Sequence, residues 1–196
     1  TLEEPPPHTI LVLLTAIPYR IPSTIRSRCQ RLMFQPLAES LIVELLQEKL
    51  GEEVSADIQL IASLAEGSIG KALRWAETDS LAERKTLLEA INNLKTASIT
   101  TIMDCAPLLG EDKEGVLEKL DMLKVWLRDC AVGKLTNHPR HFINKDLVRS
   151  AQTVSSHTSW NTLFEKMQIV NETQAAVMEN VNIRLATESM LLRLSH

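Results

Sequence analysis

ILVLLTAIPYRIPSTIRSRCQRLMFQPL, which spans Ile10–Leu37, is the most informative stretch of this 196-residue chain. It begins with an uninterrupted apolar run up to Leu14, a pattern typical of a strand buried on both faces. Two prolines then bracket a turn. The second, Pro22, suits the start of a short helix because its missing N–H would have no partner there. That helix is predicted over residues 23–29, and a second apolar run at 32–34 predicts another short strand.

The predicted short helix carries Arg26 and Arg28. Charge on a short helix is usually solvated surface charge, so the pattern alone favours ordinary surface arginines. The order of the surrounding residues favours a different interpretation. A strand ending in Thr15, a turn between prolines and the triplet Ser27, Arg28 and Cys29 occur together and at close spacing. This combination resembles the clamp-loader branch of the AAA+ ATPases, where the strand is the sensor-1 strand and Ser-Arg-Cys is the SRC motif.

The resemblance implies a role for each of these residues. Arg28 would be an arginine finger that reaches the γ-phosphate of ATP bound by a neighbouring subunit. Arg26 would support the same interface, and Thr15 would occupy a vestigial sensor-1 position. A guanidinium suits this task because it is always charged and can contact phosphate oxygens as charge spreads in the transition state. No cofactor is expected on this chain itself, and ATP with Mg²⁺ would be held at the neighbouring subunit's site.

A second motif begins at Gly67 and Ser68 and continues through Gly70 and Lys71. It opens the last of three short helices predicted between residues 37 and 79, which together resemble the lid of an AAA+ module. In clamp-loader subunits that hydrolyse ATP, the position of Gly70 is the sensor-2 arginine. Lys71 projects about 100° further round the helix and is a poor substitute. The degenerate motif resembles the delta-prime branch of bacterial DNA polymerase III, which does not turn over ATP; without that context, small residues here would indicate close packing.

The predicted fold class is mainly α, in three parts. Residues 1–36 are a remnant of an AAA+ core with two strands, 37–79 are the three-helix lid, and 80–196 are an all-helical collar for oligomerisation. The collar includes a long amphipathic helix over 112–134, whose Trp126 is assigned to core or inter-subunit packing. Asn144 is predicted to cap a later helix. Because two strands cannot make a buried sheet, the chain is expected to be a piece of a longer protein, with residues 36–196 folding without help.

Composition limits the classes of function. The net charge of −4 argues against a nucleic-acid-binding surface over the whole chain, and the four arginines between 20 and 31 are its one concentrated basic patch near the start. Three scattered cysteines without a C-x-x-C pair predict neither zinc nor disulfides. No apolar run approaches the roughly 18 residues of a membrane span, so a cytoplasmic protein without membrane contact is expected.

One glycine pattern imitates a phosphate-binding loop. Gly110 and Gly115 have the spacing of such a loop, but Val116 stands where a lysine is required. The segment that ends in Gly70 and Lys71 also fails, because no glycine lies five residues before Gly70. The sequence therefore predicts that this chain alone cannot build a nucleotide site.

The resemblance implies a non-hydrolysing stator subunit of the bacterial replicative clamp loader, within the DNA polymerase III holoenzyme, with no catalytic activity of its own. Its partners would be gamma/tau and delta subunits through the collar and the SRC face, and the sliding clamp and primed DNA through the complex. Two alternatives stay open. The chain could come from an ATP-hydrolysing gamma/tau-type motor subunit, which a complete phosphate-binding loop before Thr1 would favour. It could also be a helical interaction module in which Arg28 is surface charge.

Overall fold

The structure, a computed structural model, describes residues 6–15, 17–51, 57–78, 80–136 and 138–195. The chain divides into two compact units, Thr1–Gln35 and Pro36–His196. Its described residues form ten α-helices: α1 (Ser23–Arg26), α2 (Glu39–Leu50), α3 (Asp57–Leu64), α4 (Ile69–Glu77), α5 (Ser80–Asn93), α6 (Ile99–Asp104), α7 (Lys113–Leu135), α8 (Val148–His157), α9 (Trp160–Met178) and α10 (Ile183–Leu194). The predicted mainly α class is confirmed.

The described residues of the first unit form one 3₁₀ turn, Pro18–Arg20, and the short helix α1. The two predicted strands are not confirmed, because the described residues around 10–14 and 32–34 have no regular secondary structure. Their side chains are also exposed, and Leu14 keeps 89% of its surface accessible. A strand needs a neighbour to take its backbone hydrogen bonds, and none of the described segments of this unit provides one. The apolar run therefore has the composition of a strand, but it lacks the backbone hydrogen bonds to a neighbouring segment that a strand requires.

The second unit begins with α2, α3 and α4, which pack around their own small core. Its buried side chains come from all three helices, from the turn after α3 and from one residue of α7: Ile42, Leu46, Ile58, Ile61, Ala62, Leu64, Ala65, Ala72, Trp75 and Met122. Gly67 lies in the turn that separates α3 from α4, and its φ of +88° favours glycine. Its carbonyl oxygen accepts the N–H of Leu37 at 3.0 Å, which fixes the entry of the chain into α2.

The larger core lies among α5 to α10, around the 23-residue helix α7. Asp112 caps the start of α7 by accepting the N–H of Gly115 at 2.9 Å. Trp126, near the middle of the helix, is 1% exposed and belongs to this core. Its predicted packing role is therefore a core role, and its indole N–H donates to Asn92 at 3.2 Å.

Polar contacts tie α2 to α5 onto the rest of the second unit. The indole N–H of Trp75 donates to Glu118 on α7, and Lys119 of the same helix pairs with Glu83 on α5. Lys145 pairs with Glu39 at 2.6 Å, which joins the segment before α8 to the start of α2. The two cores therefore share α7 as a common wall. Every described helix is too short or too polar to span a lipid bilayer.

The predicted cap at Asn144 is wrong. The residue at the N-terminal boundary of α8 is Leu147, and Asn144 precedes a 3₁₀ turn without capping it. Its side chain is instead buried and bonded to Asp129 and Arg84. Asparagine has the right chemistry for a cap, but a buried carboxylate and guanidinium satisfy its amide better here.

Candidate functional site

The predicted SRC residues lie at the end of α1. Its first turn is anchored by Pro22, whose carbonyl oxygen accepts from the N–H groups of Ile25 and Arg26 at 3.0 and 3.1 Å. The last carbonyls of a helix have no partner within the helix. Here the carbonyl oxygen of Thr24 accepts from the Ser27 hydroxyl at 3.1 Å and from Nη1 of Arg28 at 2.6 Å. The side chains of Ser27 and Arg28 therefore close the end of the helix.

Arg28 is exposed and lies along the C-terminal end of α1. A cation is favourable there because helix carbonyl groups carry partial negative charge at that end. Cys29 is exposed beside it. The hydrogen bond to Thr24 gives the Arg28 side chain a defined direction from the helix end.

The charge around Arg28 is of one sign. Arg20, Arg26 and Arg31 are exposed as well, and residues 6–35 contain no aspartate or glutamate. Exposed guanidinium groups without carboxylates nearby in the sequence give this segment a positive potential although the whole chain is acidic. Such a segment can attract phosphate groups, which guanidinium binds through paired N–H donors.

Thr15, the predicted sensor-1 residue, has a local hydrogen bond. Its hydroxyl oxygen accepts the N–H of Ile17 at 3.0 Å, which makes a turn two residues long. Threonine commonly supports such turns between its own side chain and the following backbone. The assignment of Thr15 to a sensor-1 position stays a prediction.

The sensor-2-like residues play two different parts in the start of α4. A Cβ atom on Gly67 would lie 2.3 Å from Cβ of Pro36, so the backbone approach requires glycine there. Ser68 caps α4 by accepting the N–H of Lys71 at 3.3 Å. Gly70, in contrast, is exposed and a Cβ atom there would meet nothing within 4 Å. Close packing therefore accounts for Gly67 but not for Gly70.

Lys71 is committed to another contact. Its amine lies 5.2 Å from the centre of the Trp75 ring, within the range of a cation–π interaction. Trp75 in turn donates to Glu118 on α7. Lys71 thus lies beside the groove between α4 and α7.

The loop at Gly110–Gly115 is shaped as a helix cap. The carboxylate of Asp112 accepts one of the free N–H groups in the first turn of α7, that of Gly115. A phosphate at this helix start would meet a carboxylate already in place, so the residues do not fit a phosphate-binding loop. Among the residues that the structure describes, no three His, Cys, Asp or Glu side chains gather as a metal site.

Two features escaped the sequence reasoning. One is a polar cluster around Asp129, whose buried carboxylate accepts from the N–H groups of Ile143 and Asn144 and from Arg128. The sequence signal was a single acidic residue inside the apolar stripe of α7. The other is an aromatic surface at the end of α7 and the start of α9.

We call this surface the Trp160 patch and define it as Lys134, Leu135, Trp160 and Phe164. The rings of Trp160 and Phe164 stack with centres 5.9 Å apart, and the Lys134 amine lies 5.8 Å from the Trp160 ring. Leu135 and Phe164 are 76% and 59% exposed. Aromatic and apolar side chains exposed together are typical of a protein-binding surface.

Comparison with known proteins gives two family matches. The family described as "DNA polymerase III, delta subunit, C terminal" matches residues 78–196. The family described as "DNA polymerase III, delta subunit" matches residues 1–38. Together the two matches cover both ends of the chain.

Two delta' relatives are similar along nearly the whole chain. It is 28% identical to DNA polymerase III subunit delta' of Bacillus subtilis (strain 168) over 98% of its own length and 59% of that protein. It is also 28% identical to subunit delta' of Escherichia coli (strain K12), over 100% of its length and 57% of that protein. A shorter match, 40% identical over 77 residues, covers 37% of this chain and 14% of subunit tau of Bacillus subtilis (strain 168). The chain therefore spans less than two thirds of the length of either delta' relative.

Proposed function

This chain belongs to the DNA polymerase III delta subunit family, and we propose that it serves in a non-hydrolysing, delta-prime-type subunit of the bacterial replicative clamp loader. In this role it is a stator that helps load the sliding clamp onto primed DNA in the bacterial cytoplasm. The observation that carries the proposal is the similarity to two delta' subunits over 98% and 100% of the chain.

The proposed chemical contribution is Arg28, supplied in trans. The neighbouring subunit would hold ATP and Mg²⁺, and this chain would bind neither. An exposed guanidinium in a segment of four arginines without acidic residues can approach the γ-phosphate of that site. It would stabilise the charge that develops on the transferring phosphoryl group, an effect worth about 10³–10⁵ in rate where arginine fingers have been measured.

Gly70 supports the non-hydrolysing part of the proposal. The position is open, so an arginine would meet no steric barrier there. Glycine has no side chain that could contact a nucleotide. Lys71 is held against Trp75 and cannot take over the contact without giving up that interaction. The sensor-2 function is therefore proposed to be absent.

The collar is proposed to bind gamma/tau and delta subunits, with the sliding clamp and primed DNA contacted through the assembled complex. The Trp160 patch supports this assignment because its stacked rings are exposed in the isolated chain. Burial of such side chains is the usual source of hot-spot energy in protein interfaces.

A second candidate is an ATP-hydrolysing motor subunit. The observation that favours it is the higher identity to tau subunits, 40% and 42% over 77 residues. These matches cover 37% of the chain, so the similarity to tau concerns one part of the chain and not its whole length. ATP hydrolysis by the full-length protein alone separates the two candidates: turnover without partners would favour the motor, and its lack would favour the stator.

The main experiment compares Arg28→Ala with Arg31→Ala in the full-length protein, reconstituted with its motor subunits, sliding clamp and primed DNA. Arg31 is a matched control because it is an exposed arginine in the same segment. With equal assembly of both variants, we expect hydrolysis at the completed site to fall by at least 10³-fold for Arg28→Ala and to stay unchanged for Arg31→Ala. Equal turnover of both variants would return Arg28 to surface charge and leave a helical interaction module.

A further inference from the structure

Residues 142–146, which we call the strap, contact both cores of the second unit. Phe142 has an extended backbone, with φ of −89° and ψ of 139°. In an extended segment, successive side chains point to opposite sides. Phe142 accordingly lies in the large core, whereas Ile143 packs against the small core of α2, α3 and α4. Two neighbouring residues of the strap therefore belong to different cores.

The strap is fixed to α5 and α7 by buried polar contacts. The side-chain amide of Asn144 donates to Asp129 of α7 at 2.8 Å, and its oxygen accepts from Nη1 of Arg84 on α5. Asp146 accepts from Nη2 of the same guanidinium. Asn144, Arg84 and Asp129 are at most 1% exposed. Because bulk water does not reach these three side chains, it does not replace a contact that is lost.

The other side of the strap reaches α2. Nζ of Lys145 lies 2.6 Å from Oε1 of Glu39, the first residue of this helix. Both side chains are half-exposed, so the ion pair adds little by itself, and the packing of Ile143 adds to it. Helix α4 is held differently, because its Trp75 donates directly to Glu118 of α7. The strap thus contacts the start of α2, whereas α7 bonds α4 without it.

We propose that the strap couples the local stability of α2 to the polar cluster between α5 and α7. Asn144 then influences a helix with which its side chain makes no hydrogen bond. Helices open locally with free energies below that of global unfolding, and the opening depends on the tertiary contacts that hold them. Without the bonds of Asn144 the strap loses its fixed position, so Ile143 and Lys145 no longer hold α2. Neither Arg28 nor Gly70 takes part, so this coupling is independent of the proposed function.

The test is hydrogen exchange of the whole 196-residue chain, followed by NMR for single backbone amides. We expect Asn144→Ala to speed exchange at Leu46, a buried residue of α2, by about tenfold, because buried donors and acceptors left unpaired destabilise the strap. Exchange at Trp75 of α4 should rise by no more than about twofold, because Glu118 still holds this helix.

A matched variant separates the strap from a general loss of stability. Val177→Ala removes two methyl groups from the large core at a fully buried residue of α9, outside the strap. Urea unfolding measures the loss of global stability for this variant and for Asn144→Ala. We expect Val177→Ala to lower global stability and to leave exchange at Leu46 unchanged. Equal acceleration at Leu46 by the two variants would overturn the proposal, since α2 would then open only with the whole unit.

A milder change keeps the proposal testable if the first variant does not fold. Asp146→Asn removes the charge beside Arg84, at a side chain that is 34% exposed. We expect it to speed exchange at Leu46 about threefold. Asp121→Asn, which changes a half-exposed carboxylate of α7, is its control and should have no effect there. Equal acceleration at Leu46 and Trp75, or equal effects of Asp146→Asn and Asp121→Asn, would contradict the coupling.

Discussion

The carboxylate of Asp129 accepts hydrogen bonds from both the backbone N–H and the side-chain amide of Asn144, at 2.7 and 2.8 Å. The same carboxylate accepts the N–H of Ile143 at 3.1 Å and Nη1 of Arg128 at 2.7 Å. Asp129 is fully buried in α7. A buried charge is tolerated only where donors replace its lost water, so one carboxylate holds the segment before α8 against α7.

We expect Asp129→Ala to destabilise the second unit by about 3–5 kcal/mol, because it leaves several buried donors without an acceptor. The measurement is urea unfolding followed by circular dichroism at 222 nm. Asp121→Ala is the control on the same helix. Asp121 is half-exposed and pairs with Lys124, so its loss should cost less than about 1 kcal/mol. Equal free energies of unfolding for the two variants would show that the Asp129 cluster does not stabilise the fold.

Asn144 shows where sequence reasoning stops. The apolar stripe of α7 predicts that helix over 112–134, and the structure places it at Lys113–Leu135, because helix periodicity is a local property. The partners of Asn144 lie 15 and 60 residues away in the sequence. Nothing local distinguishes a helix-capping asparagine from one that bonds a distant carboxylate. The strand at 10–14 failed for a related reason, since pairing also depends on distant segments.

A pair of glycines tests the backbone of the first small core. Gly51 and Gly67 have almost the same φ, +87° and +88°, but only Gly67 lies against another residue, Pro36. We expect Gly51→Ala to cost about 1–3 kcal/mol for the backbone alone, because φ of 87° with ψ of 171° is a conformation that essentially only glycine adopts. Gly67→Ala should cost about 2–4 kcal/mol, because a clash with Pro36 is added to that strain. Urea unfolding of both variants measures the difference.

Gly70→Ala should raise the free energy of unfolding, whereas the changes at Gly51 and Gly67 lower it. Gly70 lies in the first turn of α4 without positive φ and with open space around it. Alanine should therefore stabilise the unit by about 0.5–1 kcal/mol. A loss of stability at Gly70, or equal costs at Gly51 and Gly67, would contradict these assignments.

The three cysteines should differ sharply in their reaction with iodoacetamide. The thiolate is the reactive form, and burial followed by the charge of Asp129 raises the pKa of Cys130 to about 12. At pH 8 only about one Cys130 thiol in 10⁴ is then ionised, and the fraction grows as pH rises towards that pKa. Burial also raises the pKa of Cys105, with Asp104 adding to the effect. Cys29 is exposed.

We expect mass spectrometry after a timed reaction at pH 8 to find Cys29 modified first, Cys105 more slowly and Cys130 last. Denaturation in guanidinium chloride is the control and should make all three react at similar rates. Fast native labelling of Cys130 would contradict its place in the core. If the proposed SRC interface forms, labelling of Cys29 should slow in the assembled complex.

One part of the candidate site could be predicted from neighbouring residues in the sequence, and another part depends on residues that are distant in the sequence. Arg28 and its SRC neighbours could be proposed from the sequence, because residue order and spacing are local, and the structure shows Arg28 exposed at the end of α1. The Trp160 patch could not. An aromatic residue at a helix start is compatible with a core or a surface, and only the packing of α7 beside α9 leaves Trp160 and Phe164 exposed together.

The shared helix α7 has a mechanical consequence. Its 23 residues form a rod about 35 Å long. Met122 belongs to the small core of α2, α3 and α4, and Trp126, one turn further on, belongs to the large core. A push on either group of helices therefore loads the same rod within a single turn. A shift of this one turn would change the packing of both groups of helices at once.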